Sequence, residues 1–213
     1  MVMGTMFDSL QIFCPYRTNL KLIYRDICRM SLEWDTFVGE EITKKVIESL
    51  VLIMNIQHIP IQRKVLFLEA VRIIFQFYWD ASDDVAGVSV ICCNEFENDS
   101  STNRLLSNKT RLFSEERTTP RAELSAALIS SRVFDLVTFE LKTFLSEFKG
   151  EVQFHIIGDS QIVIAQLKKE TYKFKSFVAS RIAEVRENTN SYTVQWLHVP
   201  SKANIADVLT RPY

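Results

Sequence analysis

Ile73-Ile74-Phe75-Gln76-Phe77-Tyr78-Trp79-Asp80 is an apolar run that ends on an acid. Followed at once by the turn-forming Ser82-Asp83-Asp84, it reads as a buried strand over about 71–79. Packing gives such a strand no reason to finish on a carboxylate. Val152-Gln153-Phe154-His155-Ile156-Ile157-Gly158 repeats the pattern and closes on Asp159. Two more acids stand at helix starts: Glu123 opens a helical stretch after Pro120, and Asp207 follows Asn204-Ile205-Ala206. Acids at strand ends and helix starts converge at the carboxyl edge of an α/β sheet, where ligands bind. Clustered carboxylates repel one another, and a pair of divalent ions is the usual solution. The pattern points to metal-dependent phosphoryl transfer.

Working outward from the first strand, a second strand is expected at Ala86–Cys92. A polar hairpin loop follows over Asn94–Asn103, then a third strand at 104–110. A long helix is expected from Arg121 to about Lys149, with Leu124, Leu128, Val133, Leu136, Val137, Leu141 and Leu145 on one broad face. A fourth strand at 151–158, two helices within 160–187, a fifth strand at Tyr192–His198 and a last helix over about 203–210 complete the region. The fold class is therefore α/β, a mixed five-stranded sheet with helices on its faces. In this layout the first and fourth strands lie side by side and set Asp80 next to Asp159.

The front of the chain has a different rhythm. Leu20, Ile23, Tyr24, Ile27 and Met30 recur at helical steps; Glu33-Trp34-Asp35 makes a turn. Ile42, Val46, Ile47, Leu50, Val51 and Met54 form a second helix ending before Ile59-Pro60. The expected division is a helical subdomain over 1–68 and an α/β domain over 69–213.

Among 213 residues, 47% hydrophobic and 24% charged, there is enough apolar material for a real core, which excludes a disordered tail. A net charge of −1 does not exclude nucleic acid, because one face can be basic while the total is neutral. Cys14, Cys28, Cys92 and Cys93 lack zinc or redox spacing and read as reduced, apolar cysteines of an intracellular protein. No signal peptide is visible at Met1–Phe7, and Val46–Ile61 is too polar to span a membrane. The expected location is the cytoplasm, a particle or the nucleus.

Several motifs resemble those of retroelement RNase H domains. Phe77-Tyr78-Trp79-Asp80-Ala81-Ser82 is similar to their first-strand motif, and Thr118-Thr119-Pro120-Arg121-Ala122-Glu123-Leu124 to their Pro-Arg-x-Glu-Leu helix start. Gly158-Asp159-Ser160 resembles the Thr-Asp-Ser of the fourth strand. The run Trp196-Leu197-His198-Val199-Pro200-Ser201-Lys202-Ala203-Asn204-Ile205-Ala206-Asp207 resembles the closing motif of BEL/Pao-type retrotransposon polyproteins. Phe7-Asp8-Ser9-Leu10 and Leu32-Glu33-Trp34-Asp35 are similar to the segment after the reverse-transcriptase core in that family. The first departs from a more usual Asp-Pro-Leu-Gly.

The resemblance implies an RNase H-like fold preceded by a connector. It also implies hydrolysis of the RNA strand of an RNA–DNA hybrid, leaving a 3′-hydroxyl and a 5′-phosphate. Asp80, Glu123, Asp159 and Asp207 would be the ligands of two Mg²⁺ ions, with Mn²⁺ able to substitute. The implied partners are the hybrid and the reverse-transcriptase and integrase parts of the same polyprotein. No polymerase-like Asp-Asp segment occurs, since Asp83-Asp84 lies in the turn after Asp80. The alternative function is an inactive or domesticated module that binds nucleic acid or a partner.

Related nucleases use a histidine near the closing motif to assist product release, and His198 is the candidate here. His58 and His155 lie in apolar runs and read as structural. Two stretches carry a basic excess that suits phosphates, one around Arg104–Arg121 and one around Lys168–Arg186. Lys109, Arg111, Arg117, Arg121, Lys173 and Lys175, with Ser82 and Ser160 of the acidic motifs, are the residues expected to touch nucleic acid. Such a hybrid is read by shape and 2′-hydroxyls, not by base sequence. The order Asp-Glu-Asp-Asp differs from the Asp-Asp-Glu of integrases. Asp80-Ala81-Ser82 lacks both the Asp-x-Glu of proofreading exonucleases and the glycine of an aspartic protease turn.

Overall fold

The computed structural model describes Asp8, Pro60 and residues 11–55, 62–115 and 117–211. The expected structural role of His58, the end of the second helix and most of the Phe7–Leu10 motif fall outside these residues.

Strand β1 (Arg72–Ala81) buries Ile73, Phe75, Phe77 and Trp79 on one face, as its period-two alternation dictates. It pairs antiparallel with β2 (Val85–Glu95), which pairs antiparallel with β3 (Ser101–Leu112). On its other side β1 runs parallel to β4 (Glu151–Gly158), which pairs in parallel with β5 (Val194–His198). The order β3-β2-β1-β4-β5 makes the mixed five-stranded sheet expected from the sequence.

Helices α3 (Thr119–Glu140) and α6 (Ser176–Thr189) pack against each other, and α3 covers the β1–β2 face of the sheet. Phe134 of α3 meets Phe77 and Phe154 edge-on, with ring centroids 5.4 and 5.3 Å apart, in the middle of this core. The opposite face is covered at β1 and β2 by the four-residue α7 (Asp207–Thr210) and at β3 by α1 (Cys14–Arg29). There Cys14, Ala206 and Leu209 close over Tyr78. With both faces covered, β2 is buried continuously from Val85 to Val90 instead of alternating.

Helix α1 is tied to the sheet by polar contacts as well. Cys14 Sγ lies 3.2 Å from Thr110 Oγ1, Lys21 Nζ donates to the same oxygen at 3.0 Å, and Arg25 pairs with Asp84 at 2.6 Å. Helix α2 (Glu40–Asn55) packs on α1. Among the described residues, no helix is long and apolar enough to cross a membrane.

Three expectations about elements need correction. The hairpin loop shrinks to 96–100, because the polar residues at 101–103 extend the edge strand β3, where outward side chains meet solvent. The long helix breaks at Leu141, and α4 (Lys142–Glu147) turns Phe144 and Leu145 back onto the core. Leu136 is correspondingly 57% exposed. The other expected residues do face the core, Leu124 and Leu128 buried and Val133, Val137, Leu141 and Leu145 packed against it, and the buried stripe also takes in Phe134 and the small or hydroxyl side chains of Ala127, Ser131 and Thr138. The expected last helix is a 3₁₀ turn over Ser201–Ala203 followed by α7.

Candidate active site

Register alone brings the first two acids together. Trp79 is opposite Gly158 in the parallel β1–β4 pair, so Asp80 and Asp159 follow at adjoining positions on the carboxyl edge. Gly158 is there because the Trp79 indole needs its space: a Cβ at 158 would lie 2.1 Å from Cε2 of that ring.

Glu123, in the opening turns of α3, reaches this edge through Ser160. The Ser160 hydroxyl donates to Glu123 Oε2 at 2.7 Å and also caps α5 (Gln161–Leu167) by accepting from the Val163 N–H. Ser160→Ala should cost about 0.5–2 kcal/mol as a lost cap. Thermal melting measures that cost, and a variant as stable as wild type would show that the cap contributes nothing.

Asp207 enters from the other side, at the start of α7. Asn204 is buried and donates through Nδ2 to the Trp79 carbonyl at 2.9 Å, while its Oδ1 accepts from the Ala206 N–H. This hook fixes the closing loop to the end of β1. Thr210 then donates its hydroxyl to Asp80 Oδ2. The closing motif by itself gives Asn204 no role, and Thr210 lies beyond it. A polar side chain three residues after Asp207, one helical turn away, was the available signal.

The electrostatics couple all four acids. Asp80 is 6% exposed, and burial raises its carboxyl above the ordinary range; the charges of Asp159 and Asp207 add to the rise, against the Thr210 hydrogen bond. Burial likewise raises Glu123, and Asp159 and Asp80 push the same way, against the hydrogen bond from Ser160. The donor set is all hard oxygen and mutually repelling, which fits a divalent cation such as Mg²⁺. Among the described residues, however, no three Asp, Glu, His or Cys side chains converge as a ready-made metal site. Thr210 holds Asp80, Ser160 holds Glu123, and Arg211 holds Asp207 at 2.7 Å.

His198, the last residue of β5, is exposed and lies opposite Gly158 in the β4–β5 register, one position from Asp159. Ser82 is occupied in the hairpin turn, where its backbone N–H donates to the Val85 carbonyl and its hydroxyl accepts from the Val85 N–H. Lys109 and Arg111 are exposed on β3; Lys173 and Lys175 are exposed before α6. Arg121, also exposed, sits with its guanidinium carbon 4.8 Å from the centroid of Phe177. His155 is half-buried on β4 with Nε2 unpartnered among the described residues, and burial lowers its pKa.

The family model of the Pao retrotransposon-like RNaseH-like domain matches residues 2–152. The chain belongs to this family. The Pao match takes in α1 and α2 as well as β1 to α4, and stops before Asp159 and Asp207. None of the curated proteins compared with the chain matches it. Among solved structures, the chain is similar to RNase H1 of the halophilic archaeon Halobacterium salinarum NRC-1 (18% identity, 65% of this chain, 93% of that one, TM-score 0.38). It is also similar to compost-derived LC11-RNase H1 in complex with an RNA/DNA hybrid (20%, 64% and 92%, TM-score 0.40). A third likeness is to the foamy viral protease-reverse transcriptase in complex with dsDNA (10%, 85% and 33%, TM-score 0.45).

Proposed function

We propose that this Pao-family domain is a metal-dependent endonuclease that hydrolyses the RNA strand of RNA–DNA hybrids within a retrotransposon polyprotein. The observation that carries the reading is that Asp80 and Asp159 follow adjoining ends of the parallel β1–β4 pair, with Asp80 and Glu123 raised by burial and by the charges of their acidic neighbours. These four would hold two Mg²⁺ ions, or Mn²⁺ in their place. Bound there, the ions would activate a water and stabilise the leaving oxygen of an in-line displacement.

The chain's own residues do the rest. Asn204 and Thr210 fix the closing loop against Asp80, and Ser160 aims Glu123. Exposed His198 stands beside the acids, where an imidazole can shuttle a proton and help product leave. His198→Ala should slow steady-state turnover more than a single turnover; equal slowing of both would remove it from product release. Lys109, Arg111, Lys173 and Lys175 supply positive charge along the backbone of the hybrid. Its reverse-transcriptase and integrase neighbours in the polyprotein, and a cytoplasmic, particle-bound or nuclear setting, belong to the same reading.

Incubation of the purified chain with a labelled hybrid, with and without EDTA, tests it. Metal-dependent cleavage of the RNA strand is the expected result. One observation favours a second reading, an inactive or domesticated binding module: each of Asp80, Glu123 and Asp207 is engaged by a local partner. Binding of the hybrid without cleavage at any Mg²⁺ or Mn²⁺ concentration would select that second reading.

A further inference from the structure

The first two helices do not spend all their apolar side chains on packing. Helix α2 buries Ser49 and leaves Ile47, Val51, Leu52 and Met54 exposed. The loop that joins α1 to α2 adds two aromatic residues, Trp34 at 96% exposure and Phe37 at 70%. Trp34 belongs to the motif Leu32-Glu33-Trp34-Asp35, to which the proposed hydrolysis gives no task. Single apolar residues on a surface are ordinary, but this many within one helical hairpin make a patch.

The same hairpin carries a receptacle. A groove of about 790 Å³ runs between the helices, lined on its apolar side by Leu22 and Ile23 of α1 and by Ile47, Val51 and Leu52 of α2. Its bordering charges are paired within their own helices. Asp26 meets Arg25 at 3.3 Å, Glu48 meets Lys44 at 3.9 Å and Lys45 meets Glu41 at 2.7 Å. The rim therefore sets no field of a single sign against a second copy of the chain.

The area is also of the right size. Two exposed aromatic side chains and four half-exposed aliphatic ones offer on the order of 600 Å² of apolar surface per copy. A standard interface takes about 800 Å² from each partner, a little over half of it apolar. Knob and hole lie on one hairpin, so a single two-fold axis can seat each copy's knob in the other's hole. Such a contact closes on itself and builds no filament.

We propose that two copies of the chain form a two-fold dimer through the α1–α2 hairpin, each placing the indole of Trp34 in the other's groove. Buried tryptophans at the centre of an interface are where binding energy concentrates. The proposal does not rest on hydrolysis, since the four acids take no part in it.

The test uses the full chain, followed by sedimentation equilibrium and tryptophan fluorescence over a wide range of micromolar concentrations. Wild type should pass from monomer to dimer, and its emission should move to shorter wavelength as Trp34 leaves water. Trp34→Ala should weaken the dimer by about thirtyfold or more and abolish the shift, leaving the signals of Trp79 and Trp196 constant. Val51→Glu, which puts a charge in the groove, should weaken it as well. An equal mixture of the two variants decides whether the docking is reciprocal. Its mixed dimer keeps one intact knob in one intact groove, so it should associate more tightly than either variant alone. A wild type that stays monomeric overturns the proposal, as does a dimer that Trp34→Ala leaves unchanged or a mixture no tighter than its components. Trp34 is almost fully exposed, so its variant reports even if Val51→Glu folds poorly.

Discussion

Asp80→Asn yields a folded protein that no longer cleaves an RNA–DNA hybrid: that is the expected result if the four acids act together. Asparagine keeps the shape of the side chain and still offers an oxygen to the Thr210 hydroxyl, so the link to α7 survives. What disappears is one of the charges proposed to hold the metal ions. Metal-assisted stabilisation of the transition state amounts to several kcal/mol, and every 1.4 kcal/mol is about tenfold in rate, so a loss of about a thousandfold is expected. The sign of the stability change is opposite. Burial and the neighbouring Asp159 and Asp207 raise the Asp80 pKa in the folded state, so the folded protein binds more protons than the unfolded one between the two values. Stability then falls as pH rises through that interval and stays low above it. The variant should melt at a higher temperature than wild type at neutral pH, and the gap should close on acidification. Hybrid cleavage at the wild-type rate would remove Asp80 from the site, and a lower melting temperature at neutral pH would contradict the electrostatic account.

Gly87→Val should damage activity from a position that touches no substrate. Gly87 faces Asp80 across the β1–β2 pair, and α7 rests directly on it. A Cβ there would lie 2.7 Å from Leu209 Cβ and 3.0 Å from Thr210 Cγ2, both on the helix that carries Asp207. Overpacking of this kind costs about 1–3 kcal/mol, and here the element free to move is a single helical turn. Asp207 and Thr210 should shift away from Asp80. The expected outcome is hybrid cleavage reduced far more than the loss of stability explains, assayed well below the melting transition. Full activity in Gly87→Val would mean that the close seat of α7 is not needed for the reaction.

The sheet was legible because its strands are long, apolar and punctuated, and because β1 and β4 announce their ends with an acid. The adjacency of Asp80 and Asp159 was legible for the same reason, since strand order alone places their strand ends side by side. The rest depends on distant contacts that no local pattern carries. Thr210 gains its role from a partner 130 residues earlier in the chain. Asn204 gains its role from the carbonyl of Trp79. The polar part of the inward stripe of α3 is not legible because Ser131 and Thr138, both buried, satisfy their hydroxyls on carbonyls of their own helix.

Helix α1 lies against α7 and β3, with Cys14 sealed over Leu209 and Lys21, Thr18 and Arg25 bonded to strand β3 or the β1–β2 turn. The exposed loop over 31–39 is the tie between this helix and α2. A protease that nicks the loop would leave α1 docked by its contacts alone, as in a split protein. The larger fragment would then keep its sheet and its acids but lose, on dilution, the wedge that presses Asp207 home.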